Sequence, residues 1–286
     1  MAAAVKIGYP AVMPELPEVE TIRRGLQPHL DGQIIKNITF NRDNLRTPIT
    51  LGARQLIQGQ TVSSLTRFGK YLFVNLSNAQ TIVWHMGMSG TVRIYPQGPS
   101  EYEPKKHDHI VIETEAGATI AYNDPRRFGM FYIIPTNELS LHKPFSDMGD
   151  DALDYDTAIL YEKLRLRKAP IKTVLLDQAV IAGLGNIYVC EALFKAGISP
   201  LKAANTMSRQ KAKRLAEEID KTLALAIENG GSTLKDHRLT DGSMGYFQHM
   251  FDVYGRAGQT CPRCANDKKS INCIEQIKQA GRSTFY

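Results

Sequence analysis

The chain has 286 residues, 43% hydrophobic and 22% charged, a globular composition that excludes disordered, collagen-like and coiled-coil chains. Lysine and arginine number 35 against 29 acids, a formal charge of +6, and the excess is uneven: residues 1–150 hold 15 basic and 14 acidic side chains, residues 151–286 hold 20 and 15. A basic second half points to a polyanionic partner, four cysteines are too few for a disulfide scaffold, and no apolar run approaches the roughly 20 residues of a membrane helix.

Residues 1–12 carry no secretory pattern. They read as an extension, because the character of the sequence changes at Met13-Pro14-Glu15-Leu16-Pro17-Glu18-Val19-Glu20, which looks like a second beginning. Pro17 suits a first helical turn, where its missing N–H costs nothing. Glu18 and Glu20 sit where the helix dipole favours anions, and Val19, Ile22 and Leu26 mark one apolar face before Gly32 ends the segment. From Gln33 the pattern turns to β. Strands are expected at Gln33–Phe40, Thr61–Phe68, Tyr71–Leu76, Thr81–Met86, Thr91–Tyr95, His109–Glu113, Thr119–Tyr122 and Met130–Ile134, a β-sandwich or barrel. After Pro144 the pattern is helical, with segments at Tyr161–Leu166, Ile171–Asp177 and Ile187–Ala196. The clearest helix runs from a Ser208 cap to Asn229, with Leu215, Ile219, Leu223 and Ile227 on one face and Gly230-Gly231 as the stop. From Val253 the chain is short, Gly-rich and Cys-bearing, a stretch that needs a metal as a staple.

Several motifs carry chemistry. Cys261-Pro-Arg-Cys264 has the spacing of half a four-thiolate zinc site; Cys273 and His249 are the nearest further donors. Gly183-Leu-Gly185-Asn186 is a glycine turn between helical segments, either a plain turn or a grip on a phosphate. Asn123-Asp-Pro-Arg-Arg-Phe-Gly129 exposes two cations and an aromatic between strands, a group able to replace an extruded base; the apolar tip Met86-Gly-Met88-Ser-Gly90 offers the same. Lys105-Lys-His107-Asp-His109 reads as a phosphate-binding edge, a metal site or plain polar surface. Lys163, Arg165, Arg167, Lys168 and Lys172 form a basic run.

Together these motifs resemble, in order, the bacterial formamidopyrimidine-DNA glycosylase family over residues 13–286. The match includes the Pro-Glu-Leu-Pro-Glu opening, which separates this branch from the endonuclease-VIII-like one, and the final Gly281-Arg-Ser-Thr-Phe-Tyr286. The resemblance implies an α+β fold: a catalytic β-sandwich with one N-terminal helix (13–145), a helix–two-turn–helix DNA-binding domain (146–250) and a C-terminal β-hairpin zinc finger (251–286). It also implies base-excision repair. Oxidised purines such as 8-oxoguanine and formamidopyrimidines are removed from double-stranded DNA, and the abasic strand is cut by β,δ-elimination. The implied nucleophile is the amine of Pro14 with Glu15 as proton shuttle, Lys70 as donor in β-elimination and Arg282 in the second elimination. His107, Arg126, Arg167 and Asn186 match DNA-contacting positions, Met88, Arg126 and Phe128 the wedge, and Glu18 and Glu191 residues that order the site. One structural Zn²⁺ on Cys261 and Cys264, a monomeric state and a bacterial cytosolic location complete the expectation.

Two features depart from the family pattern. Joined to Met13, the Pro14 nitrogen is an amide whose lone pair is tied up by resonance, so a native start at Met13 or removal of residues 1–12 is expected. The second cysteine pair is absent, so a continuation past Tyr286 carrying it is expected. If neither holds, the alternative is a catalytically inactive DNA-binding homologue.

Overall fold

A computed structural model describes residues 13–232, 246–264 and 273–286; the 1–12 extension lies outside them. Helix α1 (Leu16–Leu30) opens the described chain. It is followed by β1 (Ile35–Phe40), a short α2 (Ala53–Ile57), β2 (Val62–Phe68), β3 (Tyr71–Leu76), β4 (Gln80–His85), β5 (Thr91–Tyr95), β6 (Asp108–Thr114), β7 (Thr119–Asn123) and β8 (Met130–Pro135). All eight strands expected between residues 33 and 134 are present with ends shifted by at most two residues. The strands form two antiparallel sheets, ordered β1-β6-β7-β5 and β2-β3-β4-β8.

The pleat explains the packing. Successive side chains point to opposite faces, so Leu72, Val74, Ile82 and Trp84 turn inward to meet Ile38, Ile110, Ile112 and Ile120 of the other sheet in one core. Trp84 meets Tyr122 edge-on at 5.3 Å and Phe40 meets Phe131 at 5.7 Å, both across the sandwich. The alternate residues Phe73 and Val83 face outward, where Phe145 covers them.

The second half holds β9 (Asp150–Asp151), α3 (Thr157–Arg165), α4 (Ile171–Leu175), β10 (Ile181–Ala182), α5 (Asn186–Ala196) and α6 (Arg209–Glu228), then the hairpin β11 (Gln276–Gln279) and β12 (Arg282–Phe285). Helix α6 starts at Ser208, whose hydroxyl accepts from the Lys211 N–H, and buries Leu215, Ile219, Leu223 and Ile227 as their spacing demands. Gly230 and Gly231, with φ of +74° and +75°, end it in the left-handed region. Helix α3 starts four residues earlier than its apolar pattern indicates, because Asp156 accepts from the Ala158 and Ile159 N–H groups. In the terminal hairpin, Ala280 and Gly281 both have positive φ, 46° and 77°, the turn geometry that matches strand twist.

Helix α1 joins the two halves. Val19, Ile22, Leu26 and Leu30 belong to the sandwich core, whereas Leu16 belongs to the core built by α3 to α6 and the terminal hairpin. Among the described residues no helix is long and apolar enough to cross a membrane.

Candidate active site

The site forms where the first residues of α1 meet the start of α5. Pro14 and Glu15 are buried. The Glu15 carboxylate accepts the N–H of Ile187 at 2.9 Å and of Tyr188 at 3.4 Å, so it takes up free donors at a positive helix end. Two glycines make this approach possible. A Cβ on Gly185 would overlap the Glu15 carboxyl group, and one on Gly183, whose φ is +105°, would overlap the Leu16 side chain. The glycine turn read as a possible phosphate grip therefore packs on Glu15 and Leu16, and the two α5 N–H groups go to a protein carboxylate. Burial pushes the Glu15 pKa up to about 7; Lys70 and the two N–H groups oppose the rise, and Glu18 adds to it.

Glu18 is a hub. Its carboxylate accepts the N–H of Glu15 at 2.9 Å, the Tyr188 hydroxyl, and both the N–H and hydroxyl of Ser232 at 2.8 Å. It thereby fixes the backbone beside Pro14 to the end of the α6 region.

Lys70 lies in the β2–β3 turn, buried against the same group. Burial holds its ammonium below the ordinary lysine pKa; Glu15 and Glu18 oppose this, and Arg282 adds to it. The turn is held from the helical half. The Asp151 carboxylate accepts two Arg67 bonds at 2.6 and 2.9 Å and the Gly69 N–H at 2.7 Å. Arg67 also reaches Glu20 at 3.4 Å. Arg67 and Asp151 carry no signal in the sequence beyond charge, and Glu20 only that of an acid near the start of a helix. Near this turn, burial and the neighbouring Lys70 and Arg46 charges hold the His85 pKa down at about 4. His85 is thus neutral at physiological pH, and its Nδ1 accepts the Gly87 N–H at 3.0 Å.

The terminal hairpin is fastened to the site by two side chains. Lys172, wholly buried, donates to the Thr284 hydroxyl at 2.7 Å and the Ser283 carbonyl at 3.2 Å. Burial lowers its pKa; Arg282 lowers it further, while Cys190 and Glu15 oppose the fall. Asn186 donates to the Ser283 carbonyl at 2.9 Å and to the Tyr254 hydroxyl at 3.3 Å, so its amide NH₂ is directed into the protein. Arg282, next to Ser283, is exposed at the start of β12. Glu191 accepts the N–H groups of Asp252, Val253 and Tyr254 at 2.8–3.0 Å, and burial raises its pKa. These bonds anchor the segment that leads to Cys261.

The cysteines do not complete a metal site among the described residues. Burial alone would raise the Cys261 thiol pKa, but hydrogen bonds from Cys264 and from the Arg263 and Cys264 backbone bring it below the ordinary thiol value. Cys273 lies across the ladder from Thr260. Neither Cys273 nor His249 gathers with the pair, and no group of three His, Cys, Asp or Glu side chains is placed to hold a metal ion among the described residues. A structural zinc ion takes four ligands, and Cys261 and Cys264 supply two, so these residues by themselves do not fit the ion.

The residues expected to form a wedge lie together. Arg126 stacks over the Phe128 ring at 5.0 Å, Phe128 is 41% exposed, and Met88 is half-buried on the adjoining tip. His107 is half-buried in the turn just before β6. Its neighbour His109 is buried, with Nε2 at 2.9 Å from the Asp124 carbonyl, so this pair does not present two free imidazoles. Arg167 lies apart, exposed beyond α3 and paired with Asp177 at 3.6 Å.

Comparison with known proteins fits this arrangement. Residues 13–131 match the Formamidopyrimidine-DNA glycosylase N-terminal domain, and residues 148–238 the Formamidopyrimidine-DNA glycosylase H2TH domain. The chain is 46% identical over 276 residues to a formamidopyrimidine-DNA glycosylase of Rhodospirillum rubrum, and 44% identical over 281 residues to one of Ruegeria pomeroyi; each alignment covers 96% of this chain and 98% of the relative. Lactococcus lactis Fpg in complex with abasic-site DNA superposes with a TM-score of 0.85 at 33% identity, and the MutM (Fpg) protein of Thermus thermophilus with 0.81 at 34%; both cover 96% of this chain and 97% of the other. The chain, with its sandwich, helical half and terminal hairpin, therefore belongs to the formamidopyrimidine-DNA glycosylase family.

Proposed function

We propose that this protein is a bifunctional DNA glycosylase and abasic-site lyase of base-excision repair, acting on oxidised purines such as 8-oxoguanine and formamidopyrimidines in double-stranded DNA. Residues 13–145 act as the catalytic part, 146–250 as the DNA-binding part and 251–286 as a finger. The observation that carries this reading is the buried Glu15 carboxyl, held at the α5 N-terminus with a pKa of about 7 beside Lys70. A carboxyl in that range holds and releases protons at physiological pH.

In this reading the free amine of Pro14 attacks C1′ of the damaged nucleotide. The C1′–base bond breaks, and the base leaves with a proton delivered through Glu15. Ring opening gives a cationic Schiff base, which draws electrons from the adjacent carbon so that a C2′ proton is lost and the 3′ phosphate departs. Lys70, its ammonium depressed by burial and Arg282, serves proton transfer in this first elimination, and Arg282 serves the loss of the 5′ phosphate. No step is assigned to zinc. His107, Arg126 and Arg167 are assigned to DNA contact, and Asn186 joins them when its amide NH₂ turns from Ser283 and Tyr254 to a phosphate; Met88 and Phe128 complete the wedge, and Glu18 and Glu191 order the backbone around the site.

The attack requires a Pro14 secondary amine. The test is borohydride trapping on 8-oxoguanine duplex with two proteins, one beginning at Pro14 and one retaining residues 1–13. The first is expected to form a covalent adduct and the second none. No adduct from the protein beginning at Pro14, with DNA binding retained, overturns the enzyme reading in favour of a non-catalytic DNA-binding homologue.

A further inference from the structure

The two segments that form the wedge leave different sheets in opposite directions. Met86–Gly90 runs from β4 to β5, and Asp124–Gly129 from β7 to β8. The wholly buried Asp124 joins them. One carboxylate oxygen accepts the Ser89 hydroxyl at 2.6 Å, and the other accepts the Gly129 N–H at 2.8 Å. Ser89 Oγ in turn accepts the Arg126 N–H at 3.1 Å. The Tyr122 hydroxyl stands 3.3 Å from both the Met86 carbonyl and Asp124.

The Asp124 backbone extends the link. Its N–H donates to the His107 carbonyl at 3.0 Å, and its carbonyl receives the Arg127 N–H at 3.2 Å and meets His109 Nε2 at 2.9 Å. The two segments approach closely: a Cβ on Gly87 would overlap the Phe128 carbonyl, and one on Gly129 the Tyr122 hydroxyl. A buried carboxylate is costly to hold unless donors surround it. Among the described residues no lysine or arginine forms an ion pair with Asp124; its carboxyl oxygens meet the Ser89 hydroxyl, the Tyr122 hydroxyl and the Gly129 N–H instead. The chemistry assigned to Pro14, Glu15, Lys70 and Arg282 makes no use of it.

We infer that Asp124, acting through Ser89, is a positioning residue that fuses the Met88 tip and the Arg126–Phe128 loop into one rigid wedge and sets His107 in register with it. The inference rests on the DNA-glycosylase reading. Extrusion of a damaged base then depends on Asp124, and the later sugar chemistry does not.

Ser89→Ala and Asp124→Asn separate these steps. Ser89→Ala removes one hydroxyl and leaves the rest of the core intact. In proteins beginning at Pro14, single-turnover excision of 8-oxoguanine from duplex is expected to fall about tenfold or more in Ser89→Ala, as for a buried hydrogen bond left half-made. Asp124→Asn is expected to fall at least as far, because an NH₂ replaces the oxygen that accepts either the Ser89 hydroxyl or the Gly129 N–H. Strand cleavage at a preformed abasic site should change less than twofold. Equal losses on both substrates, or no loss on either, overturn the inference.

A second measurement needs no chemistry. In the full chain, the rise in fluorescence of aminopurine placed opposite the lesion reports wedge insertion on binding. It is expected in the parent protein and lost in Ser89→Ala at saturating protein. If the parent cleaves nothing, the enzyme reading fails, and this signal still decides the wedge. An unchanged rise in Ser89→Ala, or no rise in the parent, overturns the inference.

Discussion

Gly185→Ala isolates the contact on which the proposed chemistry rests. The backbone there is extended, with φ −133° and ψ −167°, a conformation any residue adopts. The three atoms nearest to the added methyl all belong to the Glu15 carboxyl group, which it would overlap. For the methyl to fit, the carboxyl must leave the α5 N-terminus and give up its bonds to Ile187 at 2.9 Å and Tyr188 at 3.4 Å. A hydrogen bond to a charged group contributes about 1.5–3 kcal/mol, and the longer one contributes less. The displaced group thus loses roughly 2–4 kcal/mol of positioning, equivalent to an about 30- to 1000-fold fall in single-turnover excision. Thermal unfolding checks the cause independently. Gly185→Ala should destabilise the wild-type background, and most of that loss should vanish in a Glu15→Ala background, where the methyl has room. A wild-type excision rate in Gly185→Ala, or an equal stability loss in both backgrounds, would refute the reasoning.

Glu15 also makes stability depend on pH. Its carboxyl pKa is raised from 4.5 to about 7, so the folded state holds a proton that the unfolded state releases. The penalty is absent below about pH 4.5, grows between 4.5 and 7, and is complete above 7, at roughly 3 kcal/mol. Glu15→Gln should flatten the fall in unfolding free energy across that window, seen in denaturant titrations at several pH values; an unchanged slope would count against the burial argument. Asp151→Ala leaves Arg67, whose side chain is 7% exposed, with the 3.4 Å Glu20 contact as its one ion pair and the Gly69 carbonyl at 2.9 Å. A loss of about 3–5 kcal/mol in unfolding free energy is expected, and a loss under about 1 kcal/mol would show that Arg67 relaxes to solvent.

Much of this architecture is legible in local pattern. The run of branched and aromatic residues around Trp84 marks a strand, buried on both faces, and the i+4 series from Leu215 to Ile227 marks the buried face of α6, because those signals depend on neighbours within one turn or one short run. Short elements escape such reading. Helix α2, of five residues, is little longer than a single helical turn, and β9 and β10, of two residues each, exist only because they pair with one another. The Asp156 cap of α3 precedes its apolar pattern and was not legible in it.

The family motifs mark Pro14, Glu15, Lys70 and Arg282 as the residues on which the chemistry is proposed to rest. Their surroundings are another matter. Glu15 meets an N–H 172 positions away, Arg67 meets Asp151 across 84, and Lys172 meets Thr284 across 112. The amino-acid sequence by itself determined the longer elements, the glycines that permit close approach, and the residue types of the proposed site. Only the tertiary structure decided that the α5 N-terminus serves Glu15, that Asp151 holds the Lys70 turn and that Asp124 joins two loops. The physical reason is that burial and long-range hydrogen bonding, which shift a pKa or fix a turn, arise when separate segments pack together and leave no periodicity along the chain.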